Sequence, residues 1–335
     1  ISLKVNNGEM LFNGSYSTKV QYDLNIDIKD VNIKDLSRII NNGQRVKGST
    51  NAKLHLNNNN NLYTLQSHFS IRNGQLDDIH FKQFSGNISR RNKTFLLSDI
   101  IFDSNDGQFN LDGWFTSDNL FSKKNFFTSR DSLFIKYNFN NFDLNKFNMY
   151  LPISNQLEGK FSTNGQINGI LNNISFYMDT QIEKPVFDKL KGESITGTFI
   201  YKDAQLYLKS FNFINTDEKY TISGSFPFDI GLIKTKANLD NLPLNIMLTG
   251  KSKNLNILTS NIDNVDYLNG DISIQLSISG IYKNPIKNGQ LIIRNGELSL
   301  LNIDNRINNI NGVAILKNNR LVFEEFNGYT ISYNA

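Results

Sequence analysis

Along most of this 335-residue chain, apolar and polar residues alternate with a period of two. From Asp271 to Gly280, Ile272, Ile274, Leu276 and Ile278 hold one parity, and Asp271, Ser273, Gln275 and Ser277 hold the other. Ser132 to Asn140 repeats the pattern with Leu133, Ile135, Tyr137 and Phe139, and Gln21 to Lys29 with Tyr22, Leu24, Ile26 and Ile28. Shorter stretches do the same at Ala52 to Leu56, which carries Leu54 and Leu56, at Ile174 to Met178 and at Leu206 to Leu208. Successive side chains of a strand point to opposite faces, so this pattern predicts antiparallel strands with one dry face and one wet face. Tracts rich in Asn, Gly, Asp and Lys, such as Asn57 to Asn61, Asn172-Asn173 and Asn318-Asn319, predict turns, and hairpins as the connection. Helical signals fall only at Lys34 to Asn41, Asn145 to Leu151 and Asn256 to Asn264, one or two turns each, always after an aliphatic residue: Ile33, Leu144 or Leu255.

Those three aliphatic positions belong to a longer repeat. Gly48, Gly159 and Gly270 follow one another at a step of 111, as do Ile33, Leu144 and Leu255. Gly86 and Gly197 keep the step, as do Gly113 and Gly224, while Ile71-Arg72-Asn73-Gly74 returns as Ile293-Arg294-Asn295-Gly296 after two steps. The period slips twice. Gly74 to Gly86 is 12 residues where Gly296 to Gly312 is 16, and Gly113 to Leu144 is 31 where Gly14 to Ile33 is 19. A period carried by Gly and aliphatic residues predicts stacked units, each completed by its neighbours. Taken so, the chain divides into a partial unit at 1–47, whole units at 48–158 and 159–269, and a partial unit at 270–335. All four are expected in one continuous curved sheet, without flexible linkers at 116–132 or 227–243. The recurring glycines Gly48, Gly86, Gly113, Gly159, Gly197, Gly224, Gly270 and Gly312 read as structural, and Gly113 and Gly224 are expected near the tightest bends of the sheet. The chain opens on Ile1 and stops in the strand-like Tyr329 to Tyr333, which reads as an excerpt of a longer protein.

Chemistry is sparse. Only three histidines are present, His55, His68 and His80, at gaps of 13 and 12 without accompanying carboxylates, which disfavours a metal centre. His55 stands opposite in parity to Leu54 and Leu56 and should face solvent. Asp103 and Asp106 lack the carboxylate density of a calcium loop. No phosphate-binding glycine loop, nucleophile elbow or zinc-protease motif occurs, so an enzyme is disfavoured and no cofactor is expected. The 35 Lys and Arg against 31 Asp and Glu give a net charge of +4 scattered along the chain, without the basic stripe that nucleic acid requires. There is no Cys, which leaves the compartment open.

The segment Tyr267-Leu268-Asn269-Gly270 through Gly280, then Asn284-Pro285, Gly289-Gln290-Leu291 to Asn295-Gly296, Ile310-Asn311-Gly312 and Arg320-Leu321-Val322-Phe323 resembles the AsmA-like and TamB superfamily. The shared succession is a glycine-opened strand, a strand ending in Gly, a Pro-containing turn, a Gly-x-Leu strand ending in Asn-Gly, an Ile-x-Gly strand and a closing Leu-x-Phe strand. The earlier copies follow the same order, except that Pro185 stands where Gly74 and Gly296 do. The resemblance implies an all-β, elongated, curved, antiparallel-rich sheet forming an open apolar groove (β-taco), with short helical segments at one repeat position. It further implies a periplasmic conduit in a diderm bacterium, anchored in the inner membrane by a segment outside this stretch. Such a conduit would carry phospholipid acyl chains between the membranes and work with an outer-membrane β-barrel of the TamA or BamA type, in lipid transport, in outer-membrane protein assembly, or both. The expected groove lining is Leu54, Leu56, Leu133, Ile135, Tyr137, Phe139, Ile272, Ile274, Leu276 and Ile278. A tandem β-sandwich or β-solenoid surface protein is the alternative class, although Trp114 is unrepeated and no cysteine pair accompanies it.

Overall fold

The computed structural model describes residues 1–17, 21–39, 46–59, 62–77, 79–117, 127–147, 157–187, 190–230, 238–254, 265–301 and 303–330. The fold is all-β and antiparallel, as the period-two alternation predicts. Two compact units are formed, one from Ile1–Met149 with Phe161–Phe176, the other from Tyr150–Lys160 with Tyr177–Ala335. The first holds β1 (Ser2–Val5), β2 (Gly8–Ser17), β3 (Gln21–Asn32), β4 (Val46–Asn59), β5 (Leu62–Leu76), β6 (Ile79–Arg91), β7 (Thr94–Ser104), β8 (Gly107–Thr116) and β9 (Ser132–Asp143). Residues of β10 (Leu157–Ile170) and β11 (Asn173–Phe187) fall in both. The second holds β12 (Leu190–Lys191), β13 (Ser194–Lys202), β14 (Gln205–Asn215), β15 (Glu218–Pro227), β16 (Pro243–Asn254), β17 (Val265–Ile281), β18 (Asn284–Leu300), β19 (Ile303–Lys317) and β20 (Arg320–Thr330).

From β1 to β9, and again from β13 to β20, each strand pairs antiparallel with the next in sequence. A meander of this kind differs from a β-solenoid, whose strands are parallel, and from an immunoglobulin-like sandwich, whose chain crosses between two sheets. The helix signals materialise as α1 (Ile33–Ile39) and α2 (Leu144–Phe147). The third, Asn256 to Asn264, lies outside the described residues, as do 118–126 and 231–237 in the two stretches where linkers were not expected.

Hairpin turns use the conformations that strand twist favours. Asn318 and Asn319 have φ of 48° and 65°, and Asp203 and Ala204 have 53° and 55°; positive φ at both central residues matches the right-handed twist of the flanking strands. Three details differ from the sequence expectation. Asn57 to Asn59 continue β4 opposite Thr64 to Leu62 rather than opening a turn, because Asn58 is buried in the sheet and Asn57 Nδ2 donates to Asp23 Oδ2 at 3.1 Å. Pro285 lies within β18 opposite Gly280, the turn being Tyr282-Lys283. Asn73-Gly74 and Asn295-Gly296 do not end their strands; they form bulges inside them.

The bulge explains the 111-residue step. Asn73, Lys184 and Asn295 have φ of 48°, 49° and 50°, so Lys184-Pro185 reproduces the backbone of the two Asn-Gly copies despite its different sequence. Against these residues lie Gly48, Gly159 and Gly270, at φ of 141°, 127° and 137°. A Cβ on Gly270 would stand 2.7 Å from Gly296 Cα, so two backbones meet where a side chain cannot enter. A second interlock recurs at Gly113 and Gly224. Each pairs with the last residue before a register shift, Leu97 in β7 and Leu208 in β14. A Cβ there would lie 2.1 Å from the Phe134 carbonyl oxygen or 2.0 Å from that of Asn245, at φ of 156° or 129°. Gly224→Val is accordingly expected to destabilise the second unit by about 1–3 kcal/mol through backbone strain and displacement of β16. An unchanged urea midpoint would show that the contact relaxes without cost.

Candidate apolar ligand-binding face

Directly opposed residues of an antiparallel ladder share a face, so the registers give the composition of each face row by row. In the first unit one row reads Phe12, Ile26, Leu54, Ser67, Ile88, Leu97, Gly113, Ile135 from β2 to β9. The next reads Gly14, Leu24, Leu56, Leu65, Arg90, Phe95, Phe115, Leu133. On the other side Phe139 continues into Phe109, Phe102, Phe84 and Ile71. Tyr137 opposes Leu111, itself opposite Ile100. All six lining residues expected in this unit therefore share one face.

Burial is graded across that face. Ile71, Ile79, Phe81, Phe102 and Phe142 form a buried cluster onto which Ile33 at the start of α1 packs. Phe102 and Phe109 stack with ring centroids 5.2 Å apart and planes 7° from parallel, and Phe109 stacks on Phe139 at 5.3 Å. Met10, Ile28, Val31 and Ala52 form a neighbouring cluster that receives Leu36 of α1. Away from these clusters, Leu54, Leu56, Leu133 and Ile135 are only half-buried. The face is thus closed along one margin by aromatic packing and the helix, and along the other, nearest the Asn92-Lys93 turn, by buried Phe95, Asn58 and Ser117, with the half-buried band between them. At that second margin Arg90 lies in register between Leu65 and Phe95, its guanidinium 4.9 Å from the Phe95 ring centre.

The second unit repeats the arrangement. Gly197, Phe211, Ile222, Leu248, Leu276, Gly289, Leu316 and Leu321 form one row from β13 to β20. Ile274 lies in the row of Ile195, Phe213, Tyr220, Gly250, Leu291, Ala314 and Phe323. Phe199, Leu208, Gly224, Ile246 and Ile278 make a third row, ending at Lys287. Ile272 is buried with Ile293 and Ile310, whereas Ile274, Leu276 and Ile278 are half-buried. The four lining residues expected here share one face, with a cationic residue, Lys287, at its margin. Of the remaining recurring glycines, Gly86 lies under Ile100 and Gly312 under the Phe326 ring.

One polar group on this face was missed by the sequence reading. Glu218 is 2% exposed and opposes Ser252, whose hydroxyl donates to Glu218 Oε1 at 3.3 Å; the Tyr220 hydroxyl donates to the same oxygen at 3.4 Å. Burial, aided by the Glu218 charge, pushes the Tyr220 phenol up to about 12, so it stays a neutral donor across the physiological range. One step earlier the position is Gly107, and that substitution was the only clue that the face changes character there.

The opposite face is polar. Gln275 lies in a row with Thr221, Thr249 and Gln290 and is exposed. In the first unit a shallow depression of about 630 Å³ on the polar side of β2–β7 is bordered by His55, His68, Lys53 and Asn87. His55 is tied to Asp23 Oδ1 at 3.0 Å and His68 to Asn87 at 2.9 Å, so these imidazoles engage neighbouring side chains. Asp103 accepts from Gln108 at 2.9 Å. Among the described residues, no group of three or more His, Asp or Glu side chains is placed to hold a metal ion. No helix among the described residues is long and apolar enough to cross a membrane. No family model, curated protein or solved structure matches the chain.

Proposed function

We propose that this chain carries phospholipid acyl chains on its apolar face, as part of a periplasmic conduit between the two membranes of a diderm envelope. The observation that carries the reading is the half-buried apolar band in each unit, which no second sheet of described strands covers. A band of that kind exposed to water is unfavourable unless a ligand or partner occupies it. Hydrocarbon suits it because its contacts are non-directional, each CH₂ removed from water contributing about 0.8 kcal/mol, and the rows offer apolar wall with few polar partners. Arg90 and Lys287 at the margins of the two units supply positive charge where a lipid phosphate would emerge. The resemblance to the AsmA-like and TamB superfamily adds the envelope setting and an outer-membrane β-barrel partner, with outer-membrane protein assembly as a second duty of the same face.

Photo-crosslinking tests the proposal directly. A photo-reactive residue at Leu276, on the apolar row, is expected to capture lipid in cells. The same residue at Gln275, one position along and on the opposite face, is expected to capture none. Equal labelling at both, or no lipid at Leu276, would overturn it.

A further inference from the structure

On the polar face of the first unit, three apolar residues stand side by side. Leu96, Trp114 and Phe134 have the parity of that face and oppose one another directly on β7, β8 and β9. Leu96 is 50% and Trp114 36% exposed, while Lys136 Nζ lies 5.7 Å from the Phe134 ring centre. The fold does not require them. One step of 111 further on, the same ladder positions carry Tyr207, Ser225 and Asn245, also in direct register. Exposed apolar surface that one copy has and the other lacks serves a ligand rather than packing. From Leu96 the row continues through Ser89, Gln66, His55 and Asn25 on β6, β5, β4 and β3, all of which border the depression of about 630 Å³. His55 is engaged with Asp23, but among the described residues none pairs with the side chains of Ser89, Gln66 or Asn25. An indole plate is thus followed by a line of hydroxyl and amide groups whose hydrogen-bonding capacity is unused.

We propose that this row binds an unbranched, uncharged oligosaccharide, with one sugar stacked on Trp114 and the following sugars hydrogen-bonded by Ser89 and Gln66. A pyranose suits both halves of the row, because its C–H face is apolar and its rim is hydroxyl. Neighbouring strands lie ~4.8 Å apart, close to the advance of one sugar along an extended glycan, so successive sugars meet successive strands. From Trp114 to Gln66 the row crosses three such spacings, ~14 Å, which a tetramer covers. The row carries no unpaired ammonium or carboxylate, so an uncharged ligand matches it better than an ionic one. Three apolar side chains are also far short of the roughly 20–30 residues a side of an ordinary protein interface. The site lies on the face opposite the apolar band and in the first unit alone, so it stands whether or not that band carries lipid.

Trp114 is the only tryptophan, so its emission reports occupancy of the site without labelling. The whole 335-residue chain is titrated with tetramers of β-1,4-linked glucose and of β-1,4-linked N-acetylglucosamine. At least one of them is expected to give a saturable change, with a dissociation constant of about 1 mM or below. By calorimetry, Trp114→Ala should weaken that binding about tenfold and Gln66→Ala about threefold, for the loss of a stacked ring and of one hydrogen bond. Tyr207→Ala, at the matching position of the second unit, should leave it unchanged, with melting temperatures confirming that each variant folds. Four outcomes would overturn the proposal: no saturable response to either tetramer, undiminished affinity in Trp114→Ala or in Gln66→Ala, equal weakening by Tyr207→Ala, or an emission shift that follows chain concentration without sugar, which would put a second copy on the patch.

Discussion

A Phe102→Ala chain is expected to lose about 3–5 kcal/mol of stability, the range for removing a well-packed buried aromatic whose surroundings collapse only in part. Phe102 is 8% exposed and stands in a continuous aromatic group, stacked on Phe109 and tilted against Phe81 at 5.4 Å. Its loss removes dispersion contacts on both sides and leaves a void facing the sealed margin of the apolar face. Trp114 is the only tryptophan and lies on β8, beside β7, so its fluorescence reports urea unfolding of this unit without further labelling. Phe102→Leu, which keeps most of the volume, should recover much of the loss. An Ala variant within about 1 kcal/mol of the parent would mean that the aromatic group is loosely packed.

Leu276→Asp is expected to cut lipid transfer at least tenfold while Gln275→Asp leaves it unchanged. Both changes introduce the same charge on adjacent residues of β17, and only the face differs. An ionised carboxylate opposite Leu248 and Gly289 imposes a local desolvation cost on any hydrocarbon passing over it. An added barrier of only about 1.4 kcal/mol at the limiting step gives the tenfold effect. The readout is the rate at which a fluorescent phospholipid moves between vesicles in the presence of each variant, with thermal unfolding to confirm that both fold. Equal rates for the two variants would remove the apolar face from the transport path.

The strands and the repeat were legible because both are written in side-chain type. Alternation around Leu276 or Ile135 reports directly which side of the ladder a residue occupies, and the step of 111 is carried by Gly and aliphatic residues whose roles leave little freedom. The bulges were not legible as such. A single left-handed residue inside a strand uses Asn in two copies and Lys184 in the third, so no residue type marks it, and Pro185 in the place of a glycine read only as a departure from the pattern. Asn57 to Asn59 misled for the converse reason: their composition is that of a loop, yet buried Asn58 and the bond from Asn57 to Asp23 hold them in the ladder. The aromatic margin of the face was hidden because Phe84, Phe102, Phe109 and Phe139 meet only through the registers of β6 to β9, which bulges shift and no residue type marks. Glu218 was hidden because a carboxylate in an alternating segment looks like any solvated charge.

The paired glycine and bulge also bear on how such a sheet avoids folding wrongly. In a meander of similar strands, sliding one strand by two residues leaves every side chain on its proper face, so hydrophobic patterning alone does not penalise the slip. Sliding β15 by two against β16 would move Gly224 away from Ile246 and bring Ile222 or Phe226, each with a side chain, into the space beside the Asn245 carbonyl. The interlock therefore acts as a key that only one alignment turns. Because the same key recurs at Gly113, where the Phe134 carbonyl of β9 takes the part of Asn245, the strand that follows the glycine is committed to one alignment as it docks.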